Sequence, residues 1–108
     1  MASAGRFDDL PAEEPEPGVR RRTVQSEHAT VAEYAFAAGA RFPLHAHPQE
    51  QVTLVLEGDV DLTVAGRTAR LAAGAWSVVP GGVEHGVTAG PGGARIVALV
   101  VPRRDAQP

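Results

Sequence analysis

Turn-forming residues interrupt this chain so often that few kinds of fold remain open to it. There are 12 glycines and 9 prolines among 108 residues, and the apolar stretches between them are short and rich in Val and Leu. Short apolar runs separated by turn residues are typical of an antiparallel all-β domain. A regular alternation of strands and helices is absent, which argues against a parallel sheet. The length corresponds to one domain, so we expect a β-sandwich or a jelly-roll barrel.

The apolar runs predict about eight strands. The segment 59–66 alternates apolar and polar residues, as a half-buried strand does. We predict that Gly58 ends one strand and that the glycine-rich segment 89–93 is a loop. The predicted strands are residues 19–25, 29–37, 51–58, 59–66, 67–73, 74–82, 84–89 and 94–101.

Composition along the chain predicts three regions. Residues 1–18 are rich in proline and acidic residues and are expected to form an extended N-terminal arm. Residues 19–102 hold the apolar runs and are expected to form a single β-barrel domain, followed by a C-terminal tail over 103–108. The basic run Arg20–Arg22 follows the acidic arm, so we interpret it as a solvated, charge-balanced strand.

Composition also limits the classes of function. The absence of cysteine excludes disulfides, thiolate zinc sites and iron–sulfur clusters, so any metal must be held by nitrogen and oxygen. A net charge of −3 gives no reason to expect nucleic acid as a partner. No apolar run reaches transmembrane length and no secretory signal is visible, so we expect a cytoplasmic protein without a membrane partner.

Two predicted strands are apolar on the face that should meet water. If Gln51 points into a barrel, then Val52, Leu54 and Leu56 point outward, and the last strand is apolar on both faces over 96–101. A strand that is apolar on both faces is normally covered on both. We therefore predict a homodimer. The alternative is that the chain's own N-terminal strands cover this face.

Four residues are candidate metal ligands. His45 and His47 are two positions apart, which places both rings on one face of a strand. Gln51 lies an even number of residues further on, and His85 begins another predicted strand. Three imidazoles and one amide oxygen form a nitrogen–oxygen ligand set that suits several transition metals. His28 shows no such pattern, and we leave it out of the site.

The segments that hold these residues resemble the two sequence motifs of the cupin family. In the first segment the order is glycine, His-x-His, a third ligand position and glycine, at Gly39, His45, His47, Gln51 and Gly58. In the second segment the corresponding residues are Gly74, Pro80, Gly82 and His85. The resemblance implies a double-stranded β-helix, the RmlC-like jelly-roll barrel. It also implies one divalent metal ion per subunit, Zn, Fe, Ni or Mn, held by the three histidines and Gln51.

Within the cupins, the chain is similar to a subgroup of small proteins that open unsaturated uronic acids from pectin. Gln51 stands where the wider family most often has glutamate, and Ala89 where it often has asparagine. Three neutral imidazoles and a neutral amide leave a divalent metal its full charge, which favours anionic oxygen ligands. The subgroup also carries an acid and an aromatic residue on the last strand, and this chain has neither.

We first consider a metal-dependent enzyme that isomerises or ring-opens a carboxylate-bearing small molecule such as a sugar acid. Such a reaction needs a proton-transfer group, for which Glu84 and Tyr34 are candidates. An arginine would pair with the substrate carboxylate, and the candidates are Arg41, Arg95 and Arg103.

Two alternatives remain. The same ligands can hold iron in a dioxygenase, and Phe36, Phe42 and Trp76 are available to line the dry pocket that such chemistry favours. The third hypothesis is a small-molecule-binding cupin without turnover, which the absence of a clear catalytic acid supports.

Overall fold

The computed structural model describes residues 2–105, which form an antiparallel β-barrel and confirm the all-β jelly-roll prediction. A short 3-10 helix spans Phe7–Asp9. The strands within the described range are β1 (Glu13–Glu16), β2 (Val19–Gln25), β3 (Thr30–Phe36), β4 (Arg41–His45), β5 (Glu50–Val64), β6 (Arg67–Ala72), β7 (Trp76–Val79) and β8 (His85–Val101). Met1 of the predicted arm and residues 106–108 of the predicted tail lie outside the described residues.

Two long strands connect the halves of the barrel. The sheet order is β1-β2-β3-β8-β5-β6, with β4 paired to β8 and β7 paired to β5. The first part of β5 pairs with β7 and its last part with β6, whereas the first part of β8 pairs with β4 and its last part with β3. Each long strand therefore crosses from one half of the barrel to the other, and the apolar core lies between the halves.

The predicted strand breaks at Gly58 and in 89–93 are wrong. Gly58 lies inside β5, where the register of the β5–β8 pairing shifts, and its Cα is paired with that of Ala94. Its φ is +70°, and a Cβ built on it would lie 2.1 Å from the carbonyl oxygen of Gly93. The glycines allow two backbones to approach closely where the long strands bend, so they mark a bulge and not a strand end.

The N-terminal region adds a strand to the sheet and crosses part of its outer surface. β1 lies within the predicted arm and pairs with β2 in antiparallel orientation. Before it, the Arg22 Nε donates a hydrogen bond to the carbonyl oxygen of Leu10 at 3.2 Å. Phe7 and Leu10 line a surface cavity together with Val24. This region is therefore held against the barrel at the β2 side.

Candidate metal centre

The strand ends bring three imidazole rings to one point inside the barrel. His45 ends β4 and His85 begins β8, and their Cα atoms are partners in the β4–β8 pairing. His47 follows in the turn before β5. The ring centroids are 4.4 Å apart for His45 and His85, 4.9 Å for His47 and His85, and 5.5 Å for His45 and His47. One nitrogen of each ring lies within 4.8 Å of the others, so this cluster can hold a metal ion.

Backbone carbonyl groups select the tautomer of each ring. Every Nδ1 lies 2.9–3.0 Å from a carbonyl oxygen two residues away, which belongs to Pro43 for His45, Gln49 for His47 and Val83 for His85. A carbonyl oxygen only accepts, so the neutral ring carries its hydrogen on Nδ1 and keeps a lone pair on Nε2. Hydrogen bonds of this kind orient metal-binding histidines in proteins.

Gln51, near the start of β5, joins the three rings. Its Nε2 donates to Thr53 Oγ1 at 3.2 Å, which turns the amide oxygen Oε1 toward His47. That oxygen lies 3.1 Å from His47 Nε2. Glu50, one residue earlier, is exposed and points away from the cluster because side chains alternate along a strand.

The atoms at the centre of the cluster fit a bound cation. If His47 Nδ1 donates to Gln49, then His47 Nε2 and Gln51 Oε1 both present lone pairs to each other across 3.1 Å. His85 Nε2 is buried and has no hydrogen-bond partner within the described structure. Lone pairs that converge without a donor repel one another and lack solvation, and a metal ion between them reverses both effects.

The surroundings keep two of the rings neutral. Burial lowers the pKa of His45 below its usual value, and the charges of His85, His47 and Arg104 lower it further, against the hydrogen bond to Pro43. Burial also lowers the pKa of His85, with the charges of His47 and Arg104 acting in the same direction. Neutral imidazole is the form that binds a metal, so these shifts favour metal binding.

Apolar and aromatic side chains form the walls around the cluster. The cavity beside the histidines is lined by Tyr34, Phe36, Phe42, Val87 and Ile96. Phe42 packs edge-on against His45 with ring centroids 5.0 Å apart. The sequence suggested Trp76 as a third aromatic residue lining the pocket. It is instead 67% exposed on β7 and does not line this cavity. It lies on the opposite face of its strand from the inward-facing Val79.

The two candidate proton-transfer groups lie in different places. Tyr34 is on the inner face of β3 and lines the cavity beside His45. Glu84 is exposed and directly precedes the buried His85, so its side chain faces away from the barrel. The structure therefore brings Tyr34 to the site and leaves Glu84 outside it.

The three candidate arginines do not line the cavity with the histidines. Arg41 is exposed on β4. The Arg95 Nε donates to Glu33 at 2.8 Å on the outer side of the sheet. The Arg103 Nε donates to Asp105 at 2.7 Å. Arg41 and Arg95 project outward because the alternate residues of their strands occupy the interior, and Arg103 lies after the end of β8.

Arg21 is an interior cation that sequence reasoning missed. The prediction that Arg20–Arg22 is solvated is wrong for this residue, which is 3% exposed. It lies two residues after the buried Val19 on β2, so the two side chains share the inward face. Its Nε donates to Glu13 Oε1 at 3.3 Å, and its Cζ lies 6.0 Å from the centroid of the Tyr34 ring. The alternation of side chains along β2 could have predicted that Arg21 faces the interior.

Arg104 is a second missed cation beside the site. Its backbone N–H donates to Thr30 Oγ1 at 2.9 Å, and its carbonyl oxygen accepts from Gln25 Nε2 at 2.9 Å, which fixes the chain after β8. Burial lowers the pKa of this guanidinium; Tyr34 raises it, and the charge of Arg21 lowers it. The charge of Arg104 also lowers the pKa of His45 and of His85. Arg21 and Arg104 thus both interact electrostatically with the Tyr34 side of the cluster.

The protein-family comparison matches the cupin domain over residues 32–102, which is more than half of the chain and includes all four candidate ligands. The chain belongs to the cupin family. An uncharacterised protein of Streptomyces coelicolor is 32% identical to this cupin over 83 residues, which is 76% of this chain and 79% of that protein.

Two solved structures are similar over nearly the whole chain. An RmlC-like cupin from Shewanella frigidimarina has a TM-score of 0.88 and 26% identity, and the match covers 97% of this cupin and 95% of that chain. KdgF from Halomonas has a TM-score of 0.89 and 25% identity, with 97% of each chain covered. The second match supports the resemblance to the uronate ring-opening subgroup.

Among the described residues, no helix has the length and apolar character needed to cross a bilayer.

Proposed function

We propose that this cupin is a metal-dependent enzyme that isomerises or ring-opens a carboxylate-bearing small molecule such as a sugar acid. The observation that supports this most strongly is the convergence of three imidazoles and the Gln51 amide oxygen, with the buried Arg21 close to Tyr34 of the same cavity. The ligands of the metal are His45, His47, Gln51 and His85, with one Zn, Fe, Ni or Mn ion per subunit. None of the four carries a negative charge, so the centre attracts an anionic substrate.

Different residues around the metal bind the substrate and transfer the proton. When bound, the metal supplies Lewis acidity that polarises a substrate carbonyl or hydroxyl oxygen. Arg104 pairs with the substrate carboxylate, and Arg21 adds positive charge behind it. The Tyr34 hydroxyl lies in the same cavity and donates the proton that the isomerisation or ring opening transfers to the substrate. Phe36 and Phe42 exclude water and strengthen these electrostatic interactions.

Two other functions fit particular features of the cavity. The aromatic walls at Phe36 and Phe42 favour an iron-dependent dioxygenase, because a dry pocket protects reactive oxygen chemistry. Among the described cavity-lining residues no carboxylate is present to act as a general base, which favours a small-molecule-binding cupin without turnover. Oxygen uptake with an aromatic or dicarbonyl substrate distinguishes the first, and ligand-dependent stabilisation without product distinguishes the second.

The remaining expectations from the sequence are part of the same proposal. The protein acts in the cytoplasm as a homodimer and has neither a nucleic-acid nor a membrane partner. Residues 19–102 form the single β-barrel domain, with residues 1–18 as an arm and 103–108 as a tail. Arg104 of this tail completes the anion site.

The test combines metal content with turnover of a 4,5-unsaturated uronate. Protein purified without chelator should carry close to one metal per chain, and His85→Ala should lose it. Arg104→Ala should keep the metal and raise KM by about tenfold or more, because a charged hydrogen bond to the substrate is lost.

Arg103→Ala is the matched control. It removes the neighbouring arginine, which the sequence suggested and the structure places against Asp105, and should leave KM close to the wild-type value. Absence of metal from the wild type, with none taken up on titration, would refute the enzymatic proposal. Equal effects of the two arginine variants would refute the role of Arg104.

A further inference from the structure

A row of side chains across three strands connects the N-terminal edge of the sheet to the cavity beside the histidines. Glu13 of β1 stands opposite Arg21 of β2, and Arg21 stands opposite Tyr34 of β3. The row continues to Ile96 of β8, which is buried in the core. Residues directly opposite one another on adjacent strands share a face of the sheet and are close enough to interact. The row therefore leads from the edge strand to Tyr34, which lines the cavity with His45.

Arg21 is the middle residue of this row and joins its two ends. Its side chain is 3% exposed, whereas that of Glu13 is 57% exposed. The Arg21 Nε donates to Glu13 Oε1 at 3.3 Å. An ion pair between two exposed groups contributes little, but removal of a carboxylate that faces a buried cation takes away compensating charge where water cannot replace it. Glu13 therefore helps to determine where the guanidinium lies.

Tyr34 is in turn held by the groups around its ring. The Arg21 Cζ lies 6.0 Å from the ring centroid, which is close enough for a cation–π interaction. Phe42 packs edge-on against the same ring with centroids 5.8 Å apart, and the Phe36 ring is tilted against it at 6.1 Å. A proton donor acts efficiently only when surrounding side chains hold it in the reactive geometry. Arg21 is the charged member of the group that orients this ring.

We propose that Glu13 is a positioning residue, which orients Arg21 so that Arg21 holds the Tyr34 ring in place for proton transfer. The inference rests on the proposed function and extends it to the first strand of the chain. Glu13 does not line the cavity and acts only through Arg21. Both residues precede the segment 32–102 that matches the cupin domain. The role therefore belongs to a part of this chain that lies outside the family match.

The first test observes the Tyr34 ring directly in the zinc-loaded, full-length protein. Tyr34 is the only tyrosine in the sequence, so carbon-13 labelling of tyrosine gives NMR ring signals from this residue alone. Glu13→Ala should shift these signals, and Glu13→Gln, which keeps an oxygen acceptor for the Arg21 Nε, should largely restore them. Glu14→Ala is the matched control. Glu14 is the neighbouring exposed carboxylate on β1, and it faces the other way because side chains alternate along a strand.

A double-variant cycle tests whether Glu13 acts through Arg21. When Arg21→Met is already present, adding Glu13→Ala should shift the Tyr34 signals no further, because the connecting side chain is gone. A further shift as large as that of Glu13→Ala alone would overturn the proposal. Unchanged Tyr34 signals in Glu13→Ala would overturn it as well, with folding checked by far-ultraviolet circular dichroism. If Arg21→Met does not fold, the comparison of Glu13→Ala with Glu14→Ala still decides the question.

The second test measures turnover of a 4,5-unsaturated uronate by the same variants. Glu13→Ala should lower kcat about two- to tenfold, because it loosens the proton donor. KM should stay close to the wild-type value, since Arg104 and the charge of Arg21 remain. A purely structural role of Glu13 would lower the unfolding midpoint and leave kcat and the ring signals unchanged, which would refute the proposal. A wild type without turnover would refute the proposed function, and the ring signals would still show whether Glu13 orients Tyr34.

Discussion

A hydrogen bond to the backbone determines what each imidazole of the metal centre can do. Because His47 Nδ1 is held by the Gln49 carbonyl oxygen, its Nε2 presents a lone pair to the Gln51 amide oxygen 3.1 Å away. Thr53 holds the Gln51 amide in that orientation. The residue types thus provide the ligands, and four local hydrogen bonds aim them at one point.

Gln51→Glu tests whether the neutral amide sets the preference for anions. A carboxylate at this position reduces the net charge of a divalent centre from +2 to +1. We expect the metal-loaded variant to bind a small hydroxy-carboxylate about tenfold more weakly, measured by calorimetry. Glu50→Gln, which changes charge outside the cluster, should have little effect. A variant that binds the anion as tightly as the wild type would contradict the prediction.

The lowered pKa values of His45 and His85 predict how the metal-free protein responds to acid. Because these pKa values are lower in the folded chain, the unfolded chain binds more protons as the pH falls through about 6.5. The stability that the two neutral imidazoles contribute to the folded chain is present above that pH and is lost below it. The thermal midpoint of unfolding should therefore decrease when the pH is lowered from about 7.5 to about 5.5. His85→Gln should weaken this dependence, whereas the exposed His28→Gln should not.

At the scale of strands, β5 serves two surfaces at once. Its alternation places Gln51 and Thr53 toward the histidine cluster and Val52 and Leu54 on the outer surface of the sheet. β8 does the same with Val100 inward and Leu99 outward. The apolar residues on both sides of these strands follow from this arrangement and were visible in the sequence. The bends that carry both strands across the barrel were not.

The bend in β5 should depend on Gly58 more than on an ordinary turn glycine. Gly58 and Gly66 both have positive φ, but a Cβ at Gly58 would lie 2.1 Å from Gly93 O, whereas nothing lies within 4 Å at Gly66. We expect Gly66→Ala to cost about 1 kcal/mol for the backbone conformation alone, and Gly58→Ala about 2–4 kcal/mol. Urea unfolding measures both. Equal losses would show that the close approach to β8 is not required.

At the scale of the whole molecule, closing the barrel creates the metal centre. His47 and His85 are far apart in the chain and meet only because β4, β5 and β8 converge. Ligands that come together only in the folded state couple metal binding to folding. The fold and the cluster therefore stabilise each other when the metal is present.

Metal removal should therefore lower stability. At a free metal concentration about 1,000 times Kd, the bound ion adds about 4 kcal/mol to the free energy of unfolding. A chelator should lower the unfolding midpoint, and re-addition of metal should restore it. His85→Ala should show neither change, and the exposed His28→Ala should behave as the wild type. An unfolding midpoint that is independent of metal in the wild type would contradict a coupled site.

The sequence by itself determined the all-β architecture, the cupin family and the four residues that converge, because turn residues, strand alternation and motif spacing are local properties. The tertiary structure decided what depends on residues distant in the chain. It showed that Gly58 continues a strand, that Arg21 lies close to Tyr34 in the interior, and that Arg95 and Glu84 point away. A strand's inner and outer faces can be read from its alternation only when its neighbours are known, and those neighbours are set by long-range pairing.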